Sequence, residues 1–303
     1  MKPSLTTLAA LTSAALIPSA SAVGLIGLFD VGATQQLGLF DSDSPGTVAN
    51  QAITGPAASE SLTSIDYRPA TNQIYAIANG TGNVFTLTTS GASTLVGNYV
   101  TGSAAGSSMG SVPGNNFGFD FNPAFMGGQF ARIISNDRDN RVISGDTGAY
   151  LGGDKTDVFY AAGDAFVNMN TPQVSHIAYT NSGGGVPSGT QQYGIDVVNA
   201  NLVTVANNAG TLETVGTGGQ LTGVTAIGGF DIVGNNNLAL AGFATPGGDS
   251  TLYNINLTDG TSTSLGQIGM AGTQIRGLAA VPEPSTSLFA LLGGLALLRR
   301  KRQ

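Results

Sequence analysis

Between residues 23 and 281 the chain runs in short stretches that alternate apolar and polar positions or are β-branched. Each stretch stops at a turn signal such as Asn79-Gly80, Asn208-Ala209-Gly210 or Asp259-Gly260, and this punctuation reads as strands joined by tight connections. No part of the span sustains an amphipathic helical period. Two segments repeat one order of elements. The first has candidate strands at 62–69, 73–78, 83–88 and 93–97, and the second has them at 229–233, 238–242, 251–256 and 262–266. In both, a strand of apolar-Asp-apolar pattern is followed by an apolar strand, an aromatic-containing strand and a closing strand that ends in Gly. A repeat of about 40 to 50 residues is the signature of propeller blades or solenoid units.

Two more degenerate units fit between these, from 117 to about 150 and from 156 to about 216. The segment 275–281 looks like the first strand of a further unit, and 24–29, 36–40 and 48–53 look like its remaining three. Pairing the two ends of the chain would remove the sheet edges that an open array exposes. The expectation is an all-β protein, a β-propeller of five four-stranded blades closed by its terminal strands. The pattern leaves six blades or a pair of β-sandwiches open.

The ends of the chain differ from this body. Lys2 precedes an apolar run from 8 to 17, then Pro18 and the small-residue site Ala20-Ser21-Ala22, which is the build of a secretory signal peptide. Cleavage after Ala22 by signal peptidase would start the mature chain at Val23. At the other end Pro282-Glu283-Pro284 leads an uncharged stretch, 285–298, and then Arg299-Arg300-Lys301-Arg302. The stretch is shorter than the roughly 17 to 25 residues of a spanning helix, and the basic cluster favours a cytoplasmic C-terminus. The expectation is one short C-terminal hydrophobic helix. In order and position these elements resemble the PEP-CTERM sorting signal of Gram-negative bacteria. That resemblance implies recognition by an exosortase, an inner-membrane intermediate, removal of the tail and delivery to the cell surface or extracellular matrix. The organisation expected is therefore 1–22 signal peptide, 23–281 secreted domain and 282–303 sorting signal, with membrane contact through the C-terminal segment alone.

The chain has 11 Lys and Arg against 18 Asp and Glu, and removal of both ends would leave the body clearly acidic. Phosphate binding depends on clustered Lys and Arg, so nucleic acid is not an expected partner. There is no Cys, hence no disulfide, thiolate nucleophile or thiolate metal site.

Over nearly the whole body the sequence also resembles the bacterial domain of unknown function 4394. The landmarks are Ile65-Asp66-Tyr67-Arg68-Pro69, Gln73-Ile74-Tyr75, the run 118–123, the run 178–182, the run 208–212 and Gly229-Phe230-Asp231-Ile232. The resemblance implies a secreted propeller-like body and supplies no activity.

Candidate chemistry is sparse. His176 is the single histidine and lies within an alternating strand, where it reads as an ordinary strand residue. Without Cys or a second His, zinc has too few ligands, and no hydrolase elbow is present. Carboxylates are the better resource. Asp66, Asp120 and Asp231 occupy equivalent places in the first strands of their units, the strands that line the channel of a propeller. There they would fix neighbouring backbone, hold calcium or act as the acid/base pair of a glycosidase. Arg68, on the same strand face as Asp66, would neutralise it. Weaker metal candidates are Asp137 and Asp139, which flank Arg138 and read as a salt-bridged hairpin, and Asp41 and Asp43. The reading carried forward is a non-enzymatic exported surface or matrix protein that binds polysaccharide or matrix protein and needs no cofactor. A carboxylate-based carbohydrate-active enzyme and a calcium-stabilised scaffold are the alternatives.

Overall fold

The structure is a computed structural model that describes residues 22–100, 116–152, 155–183, 185–234 and 236–281. Ala20, the sorting residues from Pro282 to Arg302 and the expected C-terminal helix lie outside the described residues. Among the described residues no helix is long and apolar enough to cross a membrane.

The chain forms a five-bladed β-propeller. Blade 1 contains β1 (Gly24–Val31), β2 (Thr34–Asp41) and β3 (Ala49–Ala52), and blade 2 contains β4 (Leu62–Arg68), β5 (Gln73–Ala78), β6 (Asn83–Leu87) and β7 (Ser93–Asn98). Blade 3 has β8 (Phe117–Phe121), β9 (Phe130–Ser135) and β10 (Asn140–Ser144). Blade 4 has β11 (Phe159–Tyr160), β12 (Val174–Tyr179), β13 (Gln192–Asp196), β14 (Asn201–Val205) and β15 (Thr211–Thr214). Blade 5 has β16 (Gly228–Val233), β17 (Leu238–Ala244), β18 (Ser250–Ile255) and β19 (Ser262–Ile268). The last strand, β20 (Gln274–Ala280), returns to pair antiparallel with β1 and becomes the innermost strand of blade 1. The ring is closed by the two ends of the chain, as the sequence suggested.

The expectation of four strands in every blade holds for blades 1, 2 and 5 and fails for blades 3 and 4. In blade 3 the fourth strand shrinks to an isolated bridge between Ile143 and Tyr150, because the chain leaves for the next blade instead of extending the pairing. It then lays β11 parallel to β15 on the outer edge of blade 4 before crossing inward to β12, so blade 4 has five strands. Tyr160 anchors that addition: its Oη donates to Asp196 Oδ2 at 2.6 Å and accepts from Asn201 Nδ2 at 3.0 Å.

Burial explains the strand composition. Strand β5, Gln-Ile-Tyr-Ala-Ile-Ala, is buried from Ile74 onward on both faces, which accounts for a nearly continuous apolar run. The outer β7 and β19 are the least buried strands of their blades and carry more polar residues than β5. The apolar cores lie between blades. One joins blades 1 and 2 through Leu28, Leu37, Ile65 and Phe85, and another joins blades 5 and 1 through Leu25, Phe29, Leu240 and Ile275. The seam between blades 3 and 4 differs, since Ile134 is the sole blade 3 residue in its buried cluster.

The five innermost strands, β20, β4, β8, β12 and β16, pack edge on around the axis. Their approach is close enough to require glycine: a Cβ on Gly118 would lie 2.5 Å from the Ile177 nitrogen, and one on Gly229 would lie 2.1 Å from that of Leu278.

A candidate site at the propeller hub

One turn of the ring sets out the hub. The equivalent positions of the inner strands are Ala279 in β20, Asp66 in β4, Asp120 in β8, Ala178 in β12 and Asp231 in β16. The three carboxylates come together, with one oxygen from each lying within 4.8 Å of the others, and each residue is 5% exposed.

Each carboxylate reaches the next blade. The Phe121 N–H donates to Asp66 Oδ2 at 2.7 Å, the Tyr179 N–H to Asp120 Oδ1 at 3.3 Å, and the Ala280 N–H to Asp231 Oδ2 at 2.6 Å. Asp66 and Asp231 use their second oxygen to accept the N–H of the following residue, Tyr67 at 2.7 Å and Ile232 at 2.6 Å. The carboxylates are thus interblade clamps. They satisfy inner-strand N–H groups that the edge-on packing leaves without a ladder partner, and an unpaired buried N–H costs about 1–3 kcal/mol.

The electrostatics are unfavourable for three negative charges. Burial, then the neighbouring Asp231, pushes the Asp66 carboxyl well above the usual range. Burial followed by Asp66 and Asp231 does the same to Asp120, and burial raises Asp231 to about 6. No Arg compensates. Contrary to expectation, Arg68 does not neutralise Asp66: its guanidinium is drawn into blade 3, where it donates to Gly128 O at 2.8 Å and pairs with Asp146 at 2.7 Å.

The hub encloses a cavity of about 50 Å³, bordered by the three Asp residues, Ser182, Gly183 and Gly234. Ligand pockets usually run to about 300–1,000 Å³, and glycosidases hold their two carboxyl groups roughly 5–9.5 Å apart with a sugar between them. A sugar ring does not fit here. A cation does: an ion bound at about 2.4 Å would touch oxygens separated by this distance.

The other candidates are dispersed. His176 in β12 is buried, its Nε2 2.8 Å from the Thr225 carbonyl. Burial lowers its pKa to about 4, so it stays neutral and donates that hydrogen bond. Asp137, Asp41 and Asp43 are exposed and join no ligand cluster among the described residues. Asp139 pairs with Arg141, not with Arg138 as its position suggested. Arg138 takes φ 73° at the hairpin turn and points toward Asp157 at 3.9 Å, whereas Asp139 and Arg141 are two apart at the start of β10 and share a face. The hub also contains Ala178 and Ala279, which a search for reactive side chains passes over. Their signal is positional, the apolar-x-apolar core of each inner strand.

Fold and hub define a β-propeller whose blades are locked by inward carboxylates. The chain belongs to the family described as a domain of unknown function, DUF4394, which matches residues 36–279. No curated protein matches it. Among solved structures it is similar to a protein of unknown function from Bacteroides thetaiotaomicron (10% identity, TM-score 0.45, covering 88% of this chain and 63% of that one). It is also similar to TolB from Acinetobacter baumannii (10% identity, TM-score 0.41, 81% and 53%) and to a chain of a nidogen/laminin complex (9% identity, TM-score 0.46, 85% and 98%). The chain spans under two thirds of the length of the first two.

Proposed function

We propose that this is an exported, non-enzymatic propeller, trimmed by signal peptidase and an exosortase and held at the cell surface or in the extracellular matrix, where it binds polysaccharide or matrix protein. The export part rests on the two end segments, 1–22 and 282–303. The non-enzymatic part rests on one observation: the hub carboxylates accept backbone N–H groups of neighbouring blades over a cavity of about 50 Å³. Acid/base groups so engaged, with no room for a sugar beside them, suit architecture better than turnover.

The test is to incubate the purified protein with the exopolysaccharide of its native host and to follow both retention and polymer length. Retention with unchanged length is expected. Shortened polymer, lost on Asp66→Asn, would establish a carbohydrate-active enzyme instead.

A second role for the hub is favoured by Asp120, which accepts a single hydrogen bond among the described residues although its carboxylate is buried beside two others. A calcium ion shared by Asp66, Asp120 and Asp231 would supply the missing positive charge and make the hub a cation-stabilised scaffold. A melting temperature that rises with calcium and falls with chelator is the expected sign.

A further inference from the structure

The seam between blades 3 and 4 contains a buried cation. Arg132, in β9, is 5% exposed and bonds to neutral oxygens: Nε donates to Tyr179 Oη at 3.0 Å, and the two terminal nitrogens donate to Asn140 Oδ1 and Asn208 Oδ1. Tyr179 Oη in turn donates to Asn207 Oδ1 at 2.7 Å, and the two asparagines come from the 3-10 turn Asn207–Ala209. Asp120 is the register neighbour of Arg132 across β8, yet its carboxylate is turned to the hub.

Arg68, Arg138, Arg141 and Arg276 each have a carboxylate within ion-pair distance. Among the described residues Arg132 and Lys155 have none, and Lys155 Nζ donates to the Gly152 carbonyl at 3.2 Å. Both cations line the same cleft. Its volume is about 290 Å³. The lining also includes Phe125, 52% exposed, with its ring 5.3 Å from that of Phe130. Burying a charge without a counter-charge is costly, and an exposed aromatic pair beside it offers a flat apolar surface.

We propose that this cleft binds a uronic-acid residue of an acidic polysaccharide. The carboxylate meets Arg132 and Lys155, which both line the cleft, and the C–H face of the sugar stacks on Phe125. The cleft is larger than the hub cavity and is a different place from it. The assignment rests on the reading of this protein as a polysaccharide binder and names the sugar class.

The experiment is calorimetric titration of the full chain with trigalacturonate and, in parallel, with the neutral galactose trimer. Binding of the acidic trimer, weakened by added salt, is expected, with little or none for the neutral one. Lys155→Ala should weaken it about tenfold, the effect of losing a hydrogen bond to a charged group, and Phe125→Ala about fivefold. Both side chains sit at the surface, so folding is preserved, and Arg132→Gln serves as a third variant if its melting curve stays cooperative. Equal binding of the neutral trimer, or acidic binding that neither surface variant changes, would overturn the assignment. If the chain retains host exopolysaccharide but ignores trigalacturonate, only the cleft assignment fails. If it retains neither and instead binds an acidic peptide, the polysaccharide reading fails with it.

Discussion

At the hub, Asp66, Asp120 and Asp231 are buried together without an ion pair to a base, while in the adjoining seam Arg132, the register neighbour of Asp120, is buried without an ion pair to an acid among the described residues. The carboxylates spend their lone pairs on backbone N–H groups of the next blade, and the space left to them is about 50 Å³. Arg132 spends N–H groups on side-chain oxygens, and its cleft, about 290 Å³, opens beside Lys155 and an exposed Phe125. Buried charge therefore does two jobs in this molecule. Where strands meet edge on and backbone donors lack partners, it serves as mortar. Where side chains could have sealed the seam with apolar contacts and did not, it faces an opening.

The comparison is broken most violently at the glycines that let the hub close. Gly229→Ala places a methyl 2.1 Å from the Leu278 nitrogen; an overlap with backbone cannot be relieved by a rotamer change, so a loss of about 3 kcal/mol or more is expected in chemical denaturation. Next comes Asp66→Ala, which strands the N–H groups of Tyr67 and Phe121. Relief of crowding offsets part of that loss, leaving about 2–4 kcal/mol, or a melting temperature lower by roughly 2–4 °C for each of them.

Asp120→Asn sharpens the contrast in the opposite direction. Its oxygen keeps the Tyr179 N–H, and its amide donates toward the other two carboxylates, so stability near pH 7.5 should rise by on the order of 1 kcal/mol. The wild-type pH profile supplies the sign. A carboxyl whose folded pKa is raised stabilises the fold fully below the unfolded value, about 3.9, and loses that contribution as pH rises through the folded value, about 6 for Asp231, with Asp66 and Asp120 raised in the same direction by burial and by their carboxylate neighbours. The melting temperature should fall between about pH 4 and neutrality, less steeply in Asp120→Asn, and calcium near pH 7.5 should recover part of the loss in wild type. A flat profile would show that the three groups do not crowd one another. The smallest stability effect belongs to the cleft: Phe125→Ala, with its side chain half in solvent, should stay within about 0.5 kcal/mol of wild type.

Much of the architecture was legible because burial and turn chemistry agree in blades 2 and 5, where the inner strands are marked by alternating or apolar runs and the strands are separated by turns. Gly260, at φ 75° after Asp259, is one such stop. Blade 4 was legible only in outline. Its outer strand β11 is the pair Phe159–Tyr160, too short to carry a period, and what holds it is Asp196, far away in sequence. At the hub the three Asp residues could be found from the apolar-Asp-apolar repeat, while Ala178 and Ala279 gave no chemical signal. The cleft was not legible at all. Arg132 is a lone charge in the strand Phe-Ala-Arg-Ile-Ile-Ser, and its partners Tyr179 and Asn208 lie 47 and 76 residues away, a distance that only ring geometry closes.

The division of labour between hub and surface is tested most directly by measuring, on Asp66→Ala and wild type side by side, the melting temperature and the retention on host exopolysaccharide well below melting. A lower melting temperature with unchanged retention is the result expected of a clamp. An unchanged melting temperature with retention or polymer cleavage abolished would place the function at the hub and contradict the account.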